Sequence, residues 1–169
     1  MKYIGNIGPK IDVNLFYLDL DTKKISEEII QQKLPRKVQD PLSTYFEDYP
    51  FEPLPNSETE KLFKTIKNQF KEYNVEMWVH MHHPLESTTI HHHGMDGLSF
   101  AFYAKVPQNS GIFVVMPAGN GGPSIPIPPI EGSLILFPSW VQHMVTKNLS
   151  KELRICISGN LHKKQNDFK

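Results

Sequence analysis

Only one cysteine, Cys156, stands in the 169 residues, so no internal disulfide can staple the chain and an apolar core must hold it together. Long hydrophobic runs are missing too. No segment approaches the ~20 apolar residues that a membrane helix requires, and the opening MKYIGNIGPKIDVNLF lacks the continuous apolar stretch of a signal peptide. A cytoplasmic, reducing location with no membrane partner is the expectation. Neither sign of charge is in excess, with 18 basic against 18 acidic residues and no basic stripe. The electrostatic footprint of a nucleic-acid binder is therefore lacking. Internal repeats of roughly 20 to 50 residues are absent as well, which argues against a solenoid or propeller.

What is present suits a single domain over residues 1–169, since 39% apolar content in a chain of this length can bury a sizeable core. Residues 1–74 carry the helical signals. Ser26 reads as an N-cap ahead of Ile29, Ile30 and Leu34, with Pro35 ending the turn. Ser57 with Glu60 forms a capping box before Leu62, Phe63, Ile66 and Phe70, which recur at the spacing of one buried helical face. The intervening DPLSTYFEDYPFEPLPN is too proline-broken for a helix and reads as a packed loop or a cover over a site. From Val75 to Asn160 the pattern changes to short β-favouring runs: Val75–Met81, Thr88–His93, Leu98–Val106, Gly111–Met116, Ser133–Phe137, Val145–Asn148 and Leu153–Ser158. These runs predict an antiparallel sandwich or jelly-roll, mainly β with helices outside it. AGNGGPSIPIPPIEG reads as an extended surface loop, a lid or rim, and residues 161–169 as a frayed polar tail containing His162.

Six of the eight histidines fall between His80 and His93. On an extended strand His91 and His93 share a face, with Cα atoms roughly 6.5 Å apart, while His92 turns away. Two imidazoles so placed can close on one ion. The remote His143, at the end of the apolar run FPSWVQHMV, is the natural third ligand. Three protein ligands leave open positions, the arrangement of a catalytic metal. Farther on, alternation in LRICISGN puts Arg154, Cys156 and Ser158 on one strand face. A guanidinium among apolar residues needs a counter-ion, and its planar fork matches a carboxylate. A dicarboxylate that chelated the metal by one end could meet Arg154 with the other.

From Trp78 to Asn160 the sequence resembles the Fe(II)- and 2-oxoglutarate-dependent dioxygenases, especially small oxygenases with an H-x-H metal motif. The resemblance rests on Trp78, on His91 and His93 followed by Leu98, Ser99 and Tyr103, and on the turn Pro107, Ser110, Gly111. FPSWVQHMVTKN (Phe137 to Asn148) and the segment Arg154 to Asn160 complete it. It implies a double-stranded β-helix, His91 and His143 as iron ligands, and Arg154 and Tyr103 as partners of the distal carboxylate of 2-oxoglutarate. Dioxygen would be the second cosubstrate. The activity implied is hydroxylation of an unactivated C–H bond of a small molecule or peptide, with release of succinate and carbon dioxide. The wider superfamily has Asp or Glu where His93 stands, so His93 is the third ligand here and Asp96, in the next turn, the alternative. Where the family's arginine strand continues R-x-S, this chain has Cys156, leaving Ser158 or Cys156 for the polar contact.

Plainer readings stand beside these. His80, His82 and His83 read as surface residues or as hydrogen-bonding supports for the ligands. Arg154 reads alternatively as half of a structural ion pair with an N-terminal acid. Trp78, Phe100, Phe102 and Phe137 read as core, Trp140 as the aromatic nearest a substrate, and Cys156 as an inert buried thiol. Two other functions fit the same histidines: a cupin-like three-histidine dioxygenase that needs no 2-oxoglutarate, and a non-catalytic module stabilised by metal.

Overall fold

The computed structural model describes residues 1–6, 11–34, 49–116 and 123–164. Its elements are β1 (Lys2–Asn6), β2 (Asn14–Tyr17), α1 (Thr22–Gln31), β3 (Tyr49–Pro50), α2 (Glu58–Gln69), β4 (Tyr73–His82), β5 (Thr88–His91) and β6 (Leu98–Lys105). They continue with β7 (Phe113–Met116), β8 (Ile125–Ile127), β9 (Ser133–Pro138), β10 (Gln142–Val145) and β11 (Arg154–Lys163). All pairings are antiparallel. A seven-stranded sheet runs β1-β2-β9-β6-β11-β4-β3, and a four-stranded sheet runs β5-β10-β7-β8. Facing sheets of this topology make the jelly-roll that the alternating runs predict, a double-stranded β-helix.

Two apolar layers result. One lies between the helices and the outer face of the large sheet, with Ile25, Ile29, Leu62 and Ile66 against Val79, Phe102, Ile155, Ile157 and Leu161. The other fills the space between the sheets with Ala101, Tyr103, Phe113, Val115, Ile135, Phe137 and Cys156. Each fully buried aliphatic side chain is worth roughly 1.5–3 kcal/mol, so the helices are fastened chiefly by this apolar stripe. Polar contacts then fix their ends. The Glu28 carboxylate accepts the Glu58 and Thr59 N–H groups at the start of α2, 3.1 and 3.0 Å away, where the helix dipole favours negative charge.

Several local expectations shift. Asp21, not Ser26, caps α1 by accepting the Lys24 N–H. Ser26 lies inside the helix, its hydroxyl near the Thr22 and Ala104 carbonyls, which ties α1 to β6. Ser57 does cap α2, but the Glu60 carboxylate accepts from Asn56 rather than from Ser57. The run expected over Val145–Asn148 is β10, earlier by three residues, because Asn148 turns its amide onto the His82 and Glu152 carbonyls. The segment read as a rim loop contains β8, paired with β7 at the sheet edge, where Pro126 is tolerated; its residues 118–122 lie outside those described. Of the proline-rich stretch, residues 40–48 lie outside them too, whereas Tyr49 and Pro50 pair with Val79 and Trp78, and Phe51 enters the helix-side core. His162 belongs to β11, beside Glu76, and not to a frayed tail. Among the described residues no helix is long and apolar enough to cross a membrane.

Candidate metal centre

The small sheet sets His91 and His143 directly opposite each other, as cross-strand partners on β5 and β10. Their ring centroids are 4.2 Å apart. Each ring is aimed by its own strand: His91 Nδ1 lies 2.8 Å from the Thr89 carbonyl, and His143 Nδ1 lies 2.8 Å from the Val141 carbonyl. A carbonyl only accepts, so Nδ1 carries the proton in both rings and the Nε2 lone pairs are left to face the centre.

His93 joins them by a different route. The strand ends at His91, so strand alternation does not place His93. Its backbone N–H donates to the Ser139 carbonyl at 2.9 Å, the Ser139 N–H donates to Gly97, and the Ser139 hydroxyl meets Ser99 at 2.9 Å. The turn works because Gly97 holds φ +94° and because a Cβ there would sit 2.6 Å from the Leu161 carbonyl. The His93 ring stacks on His143 at 5.1 Å and tilts toward Trp78 at 5.3 Å. One nitrogen from each of His91, His93 and His143 lies within 4.8 Å of the others. Asp96 is exposed and outside this group, and His92 is exposed.

Burial keeps the three imidazoles neutral, the form that binds a metal. Desolvation lowers His91, takes His93 down to about 4, and holds His143 well below its ordinary value, the neighbouring histidines adding to the effect. Phe113 and Phe137 enclose His143 at 5.3 and 4.8 Å between centroids.

Behind the histidines a narrow cavity of about 30 Å³, open toward solvent, runs to Arg154 on the large sheet. His80, His82, Tyr103, Cys156 and Ser158 also line it. Arg154 is 1% exposed, and among the described residues no carboxylate pairs with it. Its Nη1 donates to His82 Nδ1 at 2.8 Å, while Nε has no hydrogen-bond partner among those residues. Tyr103, under the guanidinium at 5.4 Å from ring centroid to Cζ, has a buried hydroxyl with no partner there either. Burial pushes that phenol well above its ordinary range, so it stays a donor. A buried cation and two orphaned donors at the end of a cavity carry an unmet need for an anion, since leaving them unpaired is costly. Imidazoles at one end and these donors at the other match the chemistry of the two ends of a diacid. Ser158 lies on the same face, its hydroxyl 3.8 Å from Cys156 Sγ, and burial raises the thiol above its ordinary value.

His82 was missed as a site residue by sequence reasoning. It is 1% exposed, so it is not a surface residue, and it lies across from Arg154 on β4. Only the β4–β11 register reveals it. His83 is exposed. His80, in the same row, accepts the Trp78 indole N–H at 2.8 Å. Trp140, next to Ser139 in the chain, is 41% exposed and is not among the residues that line the cavity.

A family model described as "Putative 2OG-Fe(II) oxygenase" matches residues 76–160, half of the chain. No curated protein matches in sequence. Among solved structures, a Pseudomonas putida prolyl-4-hydroxylase superposes with a TM-score of 0.68 at 15% identity, covering 90% of this chain and 93% of that one. A Trichoplax adhaerens prolyl hydroxylase, solved with a hypoxia inducible factor oxygen degradation domain peptide, gives 0.68 at 14% identity, covering 89% and 83%. EvdO2 from Micromonospora carbonacea var. aurantiaca, complexed with 2-oxoglutarate, gives 0.58 at 13% identity, covering 99% and 96%. At these identities the likeness is one of fold.

Proposed function

Because the chain belongs to the 2OG-Fe(II) oxygenase family, an oxidoreductase family that uses Fe(II), 2-oxoglutarate and dioxygen, we propose that it hydroxylates an unactivated C–H bond of a small molecule or peptide. In this reading His91, His93 and His143 hold the ferrous ion. Arg154 and Tyr103 receive the distal carboxylate of 2-oxoglutarate, and Ser158 offers a further polar contact on the same face. When bound, the metal and cosubstrate supply oxidative decarboxylation to succinate and carbon dioxide, coupled to oxygen insertion into substrate.

The chain's own residues orient, neutralise and exclude. His91 and His143 present Nε2 in fixed tautomers because their Nδ1 protons are committed to backbone carbonyls. Arg154 offers a buried positive charge to an anion that must enter end-on, which orders the cosubstrate along the cavity. Phe113, Phe137 and Val145 line the walls and keep them apolar, limiting water near the reacting atoms. In this reading Trp140, exposed and next to the Ser139 that holds the His93 backbone, is the aromatic that meets substrate. The likeness in fold to two prolyl hydroxylases makes a peptide a reasonable first class to screen. The single N-terminal-to-C-terminal unit over 1–169, with a helical part, a β core and a polar end, is part of the same proposal.

The observation that carries this reading is the pairing of a three-histidine cluster with a buried arginine that no carboxylate meets among the described residues, across one cavity. Anaerobic titration of the Fe(II)-loaded protein with 2-oxoglutarate tests it. A weak visible charge-transfer band that grows to one equivalent is expected, as is succinate formation in air. A protein that holds iron yet shows neither band nor succinate would overturn it.

A further inference from the structure

Arg154 is held in the cavity by a neutral partner, and that neutrality has a consequence for what the arginine can bind. Its Nη1 donates to His82 Nδ1 at 2.8 Å, and His82 Nε2 stands 2.8 Å from Thr88 Oγ1. A guanidinium has no acceptor atom, so Nδ1 must accept and the proton must sit on Nε2, which donates to the threonine hydroxyl. All three groups are buried, at 1% for Arg154, 1% for His82 and 6% for Thr88. The arginine is thereby fixed in place without losing its charge, since no carboxylate pairs with it among the described residues.

Building on the proposed function, we propose that His82 is a positioning and specificity-determining residue: set in its Nε2–H tautomer by the guanidinium it accepts from, and anchored through that N–H by Thr88, it orients Arg154 without neutralising it, and so reserves the guanidinium for the distal carboxylate of a 2-oxo diacid. A carboxylate at the same place would hold the arginine equally well, but it would compete with the cosubstrate, leaving like charges facing each other in a low-dielectric site. An amide would hold it and leave the charge available. Glutamine and glutamate are nearly isosteric, so the two replacements differ almost only in charge.

The test compares His82→Gln with His82→Glu in the full chain, loaded anaerobically with Fe(II). Affinity is measured by the visible band for 2-oxoglutarate and for 2-oxopentanoate, which has the same carbon chain without the distal carboxylate. Binding of 2-oxoglutarate within about threefold of wild type is expected for His82→Gln, and binding at least tenfold weaker for His82→Glu, a cost of about 1.4 kcal/mol or more. For 2-oxopentanoate the two variants should agree within about threefold. A purely structural role would move both ligands together. Thr88→Val and Thr88→Ser give a second arm that leaves His82 in place: the valine variant removes the hydroxyl that anchors the ring and should weaken 2-oxoglutarate severalfold, and the serine variant should restore it. Equal 2-oxoglutarate affinity in the glutamine and glutamate variants, or an unaffected Thr88→Val, overturns the role of His82 while wild type still binds the diacid. Loss of 2-oxoglutarate binding in wild type itself would instead overturn both this role and the function on which it rests.

Discussion

On the helix side of β11, Ile155, Ile157 and Leu161 are fully buried against α1 and α2, whereas on the cavity side of the same strand stand Arg154, Cys156 and Ser158. The first face is satisfied: every side chain meets apolar neighbours and nothing is owed. On the second, a guanidinium nitrogen and the facing Tyr103 hydroxyl lack partners among the described residues. One strand thus contributes stability through one row of side chains and a ligand requirement through the other, with a period of two residues separating the roles. Similar frames of β4 and β6 repeat the division, with Val79 and Phe102 outward and His82 and Tyr103 inward.

That division can be broken from either side. The largest effect is expected at the opposite wall of the cavity, where His143→Ala or His91→Ala should weaken iron binding by about a hundredfold or more, read as metal content after gel filtration. Full iron with full turnover in either variant removes that residue as a ligand. His93→Asp sharpens the same point, because a carboxylate there should keep iron where His93→Ala does not. Next comes Ile157→Ala on the helix face, which should cost about 2–5 kcal/mol in urea unfolding yet leave 2-oxoglutarate affinity unchanged. Arg154→Ala on the cavity face should do the reverse, weakening 2-oxoglutarate by roughly 1.5–3 kcal/mol with little loss of stability, since it removes a buried charge that no carboxylate among the described residues offsets. If both variants lost stability and affinity together, the faces would not be separable.

A last effect is one of pH on the metal-free protein. Desolvation holds His82 at about 3 and His93 at about 4, below the ordinary 6.5 of an imidazole. Between those values and 6.5 the unfolded chain binds protons that the folded chain refuses, so stability is full above 6.5 and declines as pH falls. The slope approaches about 1.4 kcal/mol per pH unit for each such imidazole. Urea unfolding at pH 7.5 and pH 5 should therefore show the acid sample to be less stable, and equal midpoints would contradict the burial of these rings.

Much of this was legible before any coordinates. His91, His143 and Arg154 are polar residues in apolar β frames, and such positions either find partners or create a site. Ser158 and Tyr103 were reached by alternation and resemblance, and both line the cavity. What escaped depended on contacts remote in sequence. Strand β2 looks unremarkable in NLFY until Asn14 pairs with Leu136, and the prolines around Ile125 hide β8. His93 was named on strand geometry, but the Ser139 carbonyl, not a strand, holds its backbone. His82 needed the β4–β11 register. The α1 start was misread because Ser26 has the chemistry of a cap, although Asp21 occupies the place.

The short tethers from His91 to the Thr89 carbonyl and from His143 to the Val141 carbonyl span only two residues each. They make ring orientation a property of the strand itself, completed when the chain folds and before any ion arrives. Freezing a loose side chain on association costs about 0.5–1.5 kcal/mol, and for these two rings that expense falls on folding rather than on loading. An incoming cation then meets lone pairs already converging, with no proton to displace and no rotamer to search.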